Sequence, residues 1–286
     1  MDTPRKLPHK SVNPEFGLEV LKMDMEYLNK CYDYVLDQEN SGDTIANHFE
    51  SLTSKIFETA IARFFLEGIS PDDFMEMLRK SSLAACNYFK LITNQGREIL
   101  YDWEGERCEV IYESDRIHHM ADSTLNMGLR AAIIANQNQE IEYLSNVNLS
   151  NLGLHMSNGA FTLRTAALQL LCNGNQKKYK VYFDAIEKLS PPSRNLDAKL
   201  MDSECKILLG LEKNSLSQLP QLMNDNLIIH KKMYDNDARN LRYNYFGLIS
   251  TFNLTSLILA HKKRMALDVK SPYIPEELLK ASIKNT

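Results

Sequence analysis

Residues 49–92 read FESLTSKIFETAIARFFLEGISPDDFMEMLRKSSLAACNYFKLI. Phe49, Leu52, Ile56, Ala60 and Phe64 recur at helical spacing, and Phe57, Ile61 and Phe65 widen the apolar arc beyond what a surface helix needs. Such a helix belongs at the centre of a core. Gly68 stops it, and Ser70-Pro71-Asp72-Asp73 starts the next one. The serine can cap, proline suits the first helical position, and acids in the first turn meet the positive end of the helix dipole. A third helix follows through Phe74, Met77, Leu78, Ala85, Phe89 and Ile92. Two long helices joined by so short a turn make an antiparallel hairpin, the unit expected for the whole chain.

Toward the N-terminus, Pro4, Pro8, Pro14 and Gly17 mark residues 1–17 as an extended lead-in. Leu21, Met25, Leu28, Tyr32 and Val35 then form one face of a helix, and Asp43 or Thr44 is the expected cap of the next. Toward the C-terminus, residues 97–115 are the least helical. Tyr101, Trp103, Val110 and Tyr112 favour strands and Glu104-Gly105-Glu106 favours a turn, so a short β-hairpin near 98–113 and an irregular loop both fit.

From Ser114 a weak repeat sets in. LRAAIIANQNQEIEYLSNV from Leu129, LRTAALQLLCNGNQKKYKVYFDAI from Leu163 and CKILLGLEKNSLSQLPQLM from Cys205 each read as helix, polar turn, helix. The expected turn residues are Asn136, Asn173 and Gly210, and Pro191-Pro192-Ser193 separates the second unit from the third. Such a period suits stacked helical hairpins. The stretch Tyr245–Ala260 is apolar on nearly all sides and reads as one buried helix, ending in the cationic run His261-Lys262-Lys263-Arg264. A last helix starts at Pro275. The expected fold is all-α: antiparallel helical hairpins stacked in a repeat-like array around a buried C-terminal helix. It forms a single domain over 18–286, with an N-terminal helical part (18–113) and a helical-hairpin part (114–286).

Composition narrows the function. Over 286 residues the net charge is −4, which argues against a general nucleic-acid binder. No apolar run reaches the ~18 residues of a membrane span, and Met1–Lys6 does not read as a secretory signal. Cys31, Cys86, Cys108, Cys172 and Cys205 are odd in number and scattered, which reads as reduced core thiols of a cytoplasmic protein.

The motifs of catalysis are missing. There is no phosphate-binding loop of the G-x-x-x-x-G-K-[ST] type, no dinucleotide fingerprint and no nucleophile elbow. Asn173-Gly174-Asn175-Gln176-Lys177-Lys178 is better explained as a helix C-cap. Asp115, His118, His119 and Asp122 have metal-ligand chemistry at helical spacing, but a solvated helix start with acids in its first turn is the better account of them. The expectation is a protein that is not an enzyme and needs no cofactor or metal. A metal-dependent hydrolase using those four residues is an alternative reading.

What remains is surface. Between Glu98 and Asp115 lie seven acids opposed by Arg107 alone, with Tyr101, Trp103 and Tyr112 interleaved. Aromatics anchor and charge steers at protein interfaces, so Tyr101, Asp102, Trp103, Glu104, Glu106, Glu109, Tyr112 and Glu113 form the candidate partner-binding segment, suited to a basic protein. A solvated loop whose aromatics pack downward is the competing reading, and Trp103 reads as half-buried.

The segment YFGLISTFNLTSLILAHKKRMALDVKSPYIPEELL, from Tyr245 to Leu279, resembles the end of the immunity protein 49 family of bacterial polymorphic toxin systems. The shared features are a buried apolar helix, a basic segment at His261–Arg264, the link Leu267-Asp268-Val269 and the Ser271–Pro275 element. Leu129–Leu144 is similar to that family's Ala-rich helix, turn and second helix. The likeness covers about Ser114 to Leu279. It departs where Lys262-Lys263-Arg264-Met265-Ala266 stands in place of a glycine after the basic pair. The resemblance implies a cytoplasmic protein that binds and neutralises a cognate toxin encoded beside it, with no catalytic residue. The alternative within binding functions is a helical-repeat adaptor for another protein.

Overall fold

The computed structural model describes residues 5, 7, 14–37, 40–114, 120–148, 160–174, 176–188, 195–235 and 245–284. Among them are eleven α-helices and one two-stranded sheet. The helices are α1 (Pro14–Leu36), α2 (Gly42–Leu66), α3 (Pro71–Ile92), α4 (Ala121–Ile134), α5 (Asn138–Ser145), α6 (Ala160–Asn173), α7 (Gln176–Glu187), α8 (Leu196–Glu212), α9 (Leu219–Tyr234), α10 (Thr251–Lys262) and α11 (Glu276–Lys284). Strands β1 (Glu98–Trp103) and β2 (Glu106–Ile111) lie between α3 and α4.

The opening hairpin is built as its sequence dictates. Ser70 caps α3 by accepting a hydrogen bond from the backbone N–H of Asp73, with Pro71 at the first helical position. All eight apolar residues of the α2 arc are buried. Two boundaries differ from the reading above. The first helix begins at Pro14, inside the expected lead-in, because proline is well suited to a helix start. The cap of α2 is Ser41, whose Oγ accepts from Thr44 N–H; Asp43 instead accepts a hydrogen bond from Ser114 at 2.8 Å.

α1 packs on α2, α2 on α3 and α3 on α4. The pairs α4/α5, α6/α7 and α8/α9 are the three expected helical hairpins, with α6 bridging α4 and α8. The first helix of each pair ends near a left-handed residue: Asn136 (φ 54°), Gly174 (φ 66°) and Asn214 (φ 51°). Gly210 is therefore not a turn residue. It lies inside α8, where a Cβ would stand 2.9 Å from Leu219 of α9, so the missing side chain lets the two helices approach. The turn belongs to Asn214, where Ser215 N–H returns to Gly210 C=O in a Schellman closure. Pro191-Pro192-Ser193 lies outside the described residues.

α10 is buried over its whole length from Thr251 to Ala260 and packs against α4, α8, α9 and α11. It is shorter than the expected helix over Tyr245–Ala260. Tyr245–Gly247 form a 3₁₀ turn, and Ser250 N–H is taken by Tyr273 C=O across the fold, which breaks the helix ahead of Thr251. The basic run after α10 ties neighbouring helix ends together: Lys262 donates to Asn136 Oδ1 at 3.0 Å and Lys263 to Leu211 C=O at 3.1 Å. The two ends of the chain also meet. Arg5 pairs with Glu277 of α11 at 2.6 Å, donates to Phe64 and Ile69 carbonyls, and lies 3.7 Å above the Phe64 ring. Tyr245 Oη donates to Gly17 C=O.

Candidate partner-binding face

β1 and β2 pair antiparallel, with Trp103 opposite Glu106 and a two-residue turn at Glu104-Gly105. Both turn residues have positive φ (51° and 85°), the type I′ geometry that matches the twist of a hairpin. Strand alternation then divides the segment into two faces. Ile99, Tyr101, Trp103 and Cys108 point inward; Glu98, Leu100, Asp102, Arg107, Glu109 and Ile111 are exposed.

The aromatics are therefore not surface anchors. Tyr101, Trp103 and Tyr112 are each 1% exposed. Trp103 meets Tyr32 and Phe49 edge-on at 5.5 and 5.4 Å, and Tyr101 meets Phe49 at 5.3 Å. Tyr101 Oη donates to Val35 C=O, and Asn87 of α3 donates to Asp102 C=O at 3.0 Å. The start of α2 closes against the far end of the hairpin: a Cβ on Gly42 would stand 2.5 Å from the carbonyl oxygen of Ile111. The hairpin is thus clamped by α1, α2 and α3.

The acids remain outside. Glu98, Asp102, Glu104, Glu106, Glu109 and Glu113 are all exposed. Arg107 opposes Asp102 across the strands, and Glu104 pairs with Lys80 of α3 at 2.6 Å. Glu109 shares a hydrogen bond with Glu98, and that contact and the neighbouring negative charge raise its pKa. The apolar contribution to this face comes from Leu100 and Ile111, 48% and 54% exposed. Neither stood out by composition, but the alternation of EILYDW puts Leu100 on the same side as Glu98 and Asp102.

Asp115, His118 and His119 lie outside the described residues. Asp122 sits in the first turn of α4, half-buried, and its pKa is raised by desolvation despite hydrogen bonds from Thr165 and Thr162. Among the described residues no three His, Cys, Asp or Glu side chains gather as metal ligands, and no helix is long and apolar enough to cross a membrane. The five cysteines are free; burial pushes the Cys86, Cys172 and Cys205 thiols up to about 12, which makes them poor nucleophiles.

These features define an all-α stack of helical hairpins that displays one acidic β-hairpin face. The chain belongs to the immunity protein 49 family, whose model matches residues 70–278. The match runs from the cap of α3 to α11, so it takes in the acidic hairpin and reaches further toward the N-terminus than the resemblance around Ser114–Leu279. No curated protein and no solved structure matches the chain at a significant level.

Proposed function

We propose that this protein is a cytoplasmic immunity protein that neutralises a cognate toxin, encoded beside it, by stoichiometric binding without turnover. Membership of the immunity protein 49 family is the observation that carries the reading. The outer face of the β-hairpin is the proposed contact. Glu98, Asp102, Glu109 and Glu113 supply a predominantly negative field around the exposed Arg107, and Leu100 and Ile111 supply apolar surface to bury; Glu106, opposite the inward Trp103, lies on the other side of the hairpin. Tyr101, Trp103 and Tyr112 act beneath it by holding the strands rigid, so little ordering entropy is lost on binding. A basic partner surface, such as the phosphate-attracting cleft of a nuclease, is complementary to this face.

The test is co-expression of the chain with the toxin domain encoded next to it, scoring survival and co-purification. Survival together with a stable stoichiometric complex is the expected result. Death of the cells, with no complex recovered, would contradict the proposal and favour the adaptor reading.

A further inference from the structure

A concave site lies far along the chain from the hairpin, between α4, α6, α8, α9 and the segment leading into α10. It offers about 200 Å³ and opens to solvent. Met127, Leu200, Met201, Met233, Phe246 and Phe252 supply apolar walls, and two arginines supply the polar ones: Arg130 from α4 and Arg164 from α6. An apolar cavity of about 150 Å³ already admits a benzene ring, so this one has room for a small organic molecule.

The arginines are not equally satisfied. Arg164 is 8% exposed and pairs with Glu204 of α8 at 2.5 Å, but its Nε has no hydrogen-bond partner. Arg130 forms no direct ion pair among the described residues, although the Glu204 carboxylate acts on its charge from nearby. Its one hydrogen bond is a long 3.4 Å contact to the Asn126 side chain, and its Nε is buried without an acceptor. The remaining titratable groups facing the space do not change this. Glu204 is committed to Arg164, Asp197 stands on the wall, His230 is hydrogen-bonded to Gly247 C=O at 3.2 Å, and Tyr234 is held neutral by burial, its pKa pushed up to about 12. Burial, the largest influence on Arg130, brings its pKa down to about 10. Arg130 as a whole is half-buried beside Glu204, but its Nε, like that of Arg164, is buried, and an unsatisfied buried donor calls for an acceptor.

We infer that this cavity is a binding site for a small organic carboxylate, whose two oxygens the Arg130 guanidinium takes with help from Arg164 Nε, and whose apolar body lies against the methionine and phenylalanine walls. A carboxylate matches the planar fork of arginine, and the pairing is strong where water is excluded. The apolar walls select an anion with a compact hydrocarbon body over a bare inorganic ion. The site is separate from the proposed toxin-binding face and does not depend on it.

Calorimetric titration of the purified full chain with benzoate tests this, with benzyl alcohol and inorganic phosphate as controls. Saturable 1:1 binding of benzoate is expected, with benzyl alcohol and phosphate each at least tenfold weaker. Arg130→Met should lose at least tenfold in benzoate affinity. It should also melt no lower than the parent chain, because it removes a buried donor that has no acceptor. Absence of saturable benzoate binding, or equal affinity in Arg130→Met, would overturn the inference. So would a lower melting temperature in Arg130→Met, which would mark the arginine as structural.

Discussion

The two halves of this molecule fill their interiors differently. Around α2 and the β-hairpin the interior is aromatic: Phe49, Phe57, Phe64, Phe74, Tyr88, Phe89 and Trp103 are fully buried, several of them edge to face. Around α8, α9 and α10 an aliphatic interior also holds a buried polar network. Arg164 and Glu204 form a buried ion pair; Asn226 donates to Ser203 at 2.6 Å, and Asn253 donates to Asn226 at 2.6 Å and to Ser250 at 2.8 Å. Apolar packing is non-directional and tolerates approximate fit, whereas a buried polar network is favourable only when each group meets its partner. The aromatic half is therefore the stabilising base, and the polar network of the other half fixes how three helical hairpins register on α10 and leaves the cavity at Arg130.

This contrast can be broken from the aromatic side first. Trp103→Ala removes the largest side chain under the hairpin and should cost about 3–5 kcal/mol of stability in chemical denaturation. Below its melting point the variant should keep most of its partner affinity, since the side chain does not reach the surface. A large affinity loss with unchanged stability would reverse the assignment.

On the polar side, Glu204→Ala leaves Arg164 without its carboxylate and should cost about 3 kcal/mol. The double variant with Arg164→Met should recover most of that loss, because the pair is net near neutral once both charges leave. Failure of the double variant to recover stability would show that the pair does more than offset its own desolvation.

The smallest effect sharpens the account at a helix end. Arg264 occupies the left-handed position after α10 (φ 60°), inside a Schellman closure made by Met265 N–H to Ala260 C=O and Arg264 N–H to His261 C=O. This is where the sequence lacks the expected glycine. Arg264→Gly should relieve left-handed strain and raise stability by up to about 1 kcal/mol; a loss would mean that the arginine side chain contributes a contact worth more than the strain.

Much of this architecture was legible where its causes are local. Ser70-Pro71 started α3 because capping involves neighbouring residues, and Glu104-Gly105 closed the hairpin because a type I′ turn needs two left-handed residues. The alternation in β1 also held the answer to the aromatics: Tyr101 and Trp103 share a face with Ile99, opposite Glu98 and Asp102. Counting aromatics and acids in one segment concealed that division. Other features depend on distant partners. Gly210 looked like a turn because glycine serves close helix packing as readily as it serves turns. The break before α10 is set by Tyr273, more than twenty residues away in sequence. Arg130 and Arg164 open similar segments, Leu129-Arg130-Ala131-Ala132 and Leu163-Arg164-Thr165-Ala166, but nothing in that likeness places both beside Glu204.

Under the proposed function, the acidic face of the β-hairpin is the surface that meets the toxin. The direct measurement is the association rate of the toxin domain with the parent chain and with Glu98→Lys plus Glu109→Lys, at low and at high ionic strength. Neither residue takes part in an ion pair within the described structure, unlike Glu104, so the hairpin should keep its fold, which Trp103 fluorescence reports. At low salt the variant should associate at least tenfold more slowly, with dissociation little changed, and the difference should shrink near 1 M salt, where screening acts over about 3 Å. Equal association rates at both ionic strengths, with the complex still forming, would contradict the claim and place the contact elsewhere on the molecule.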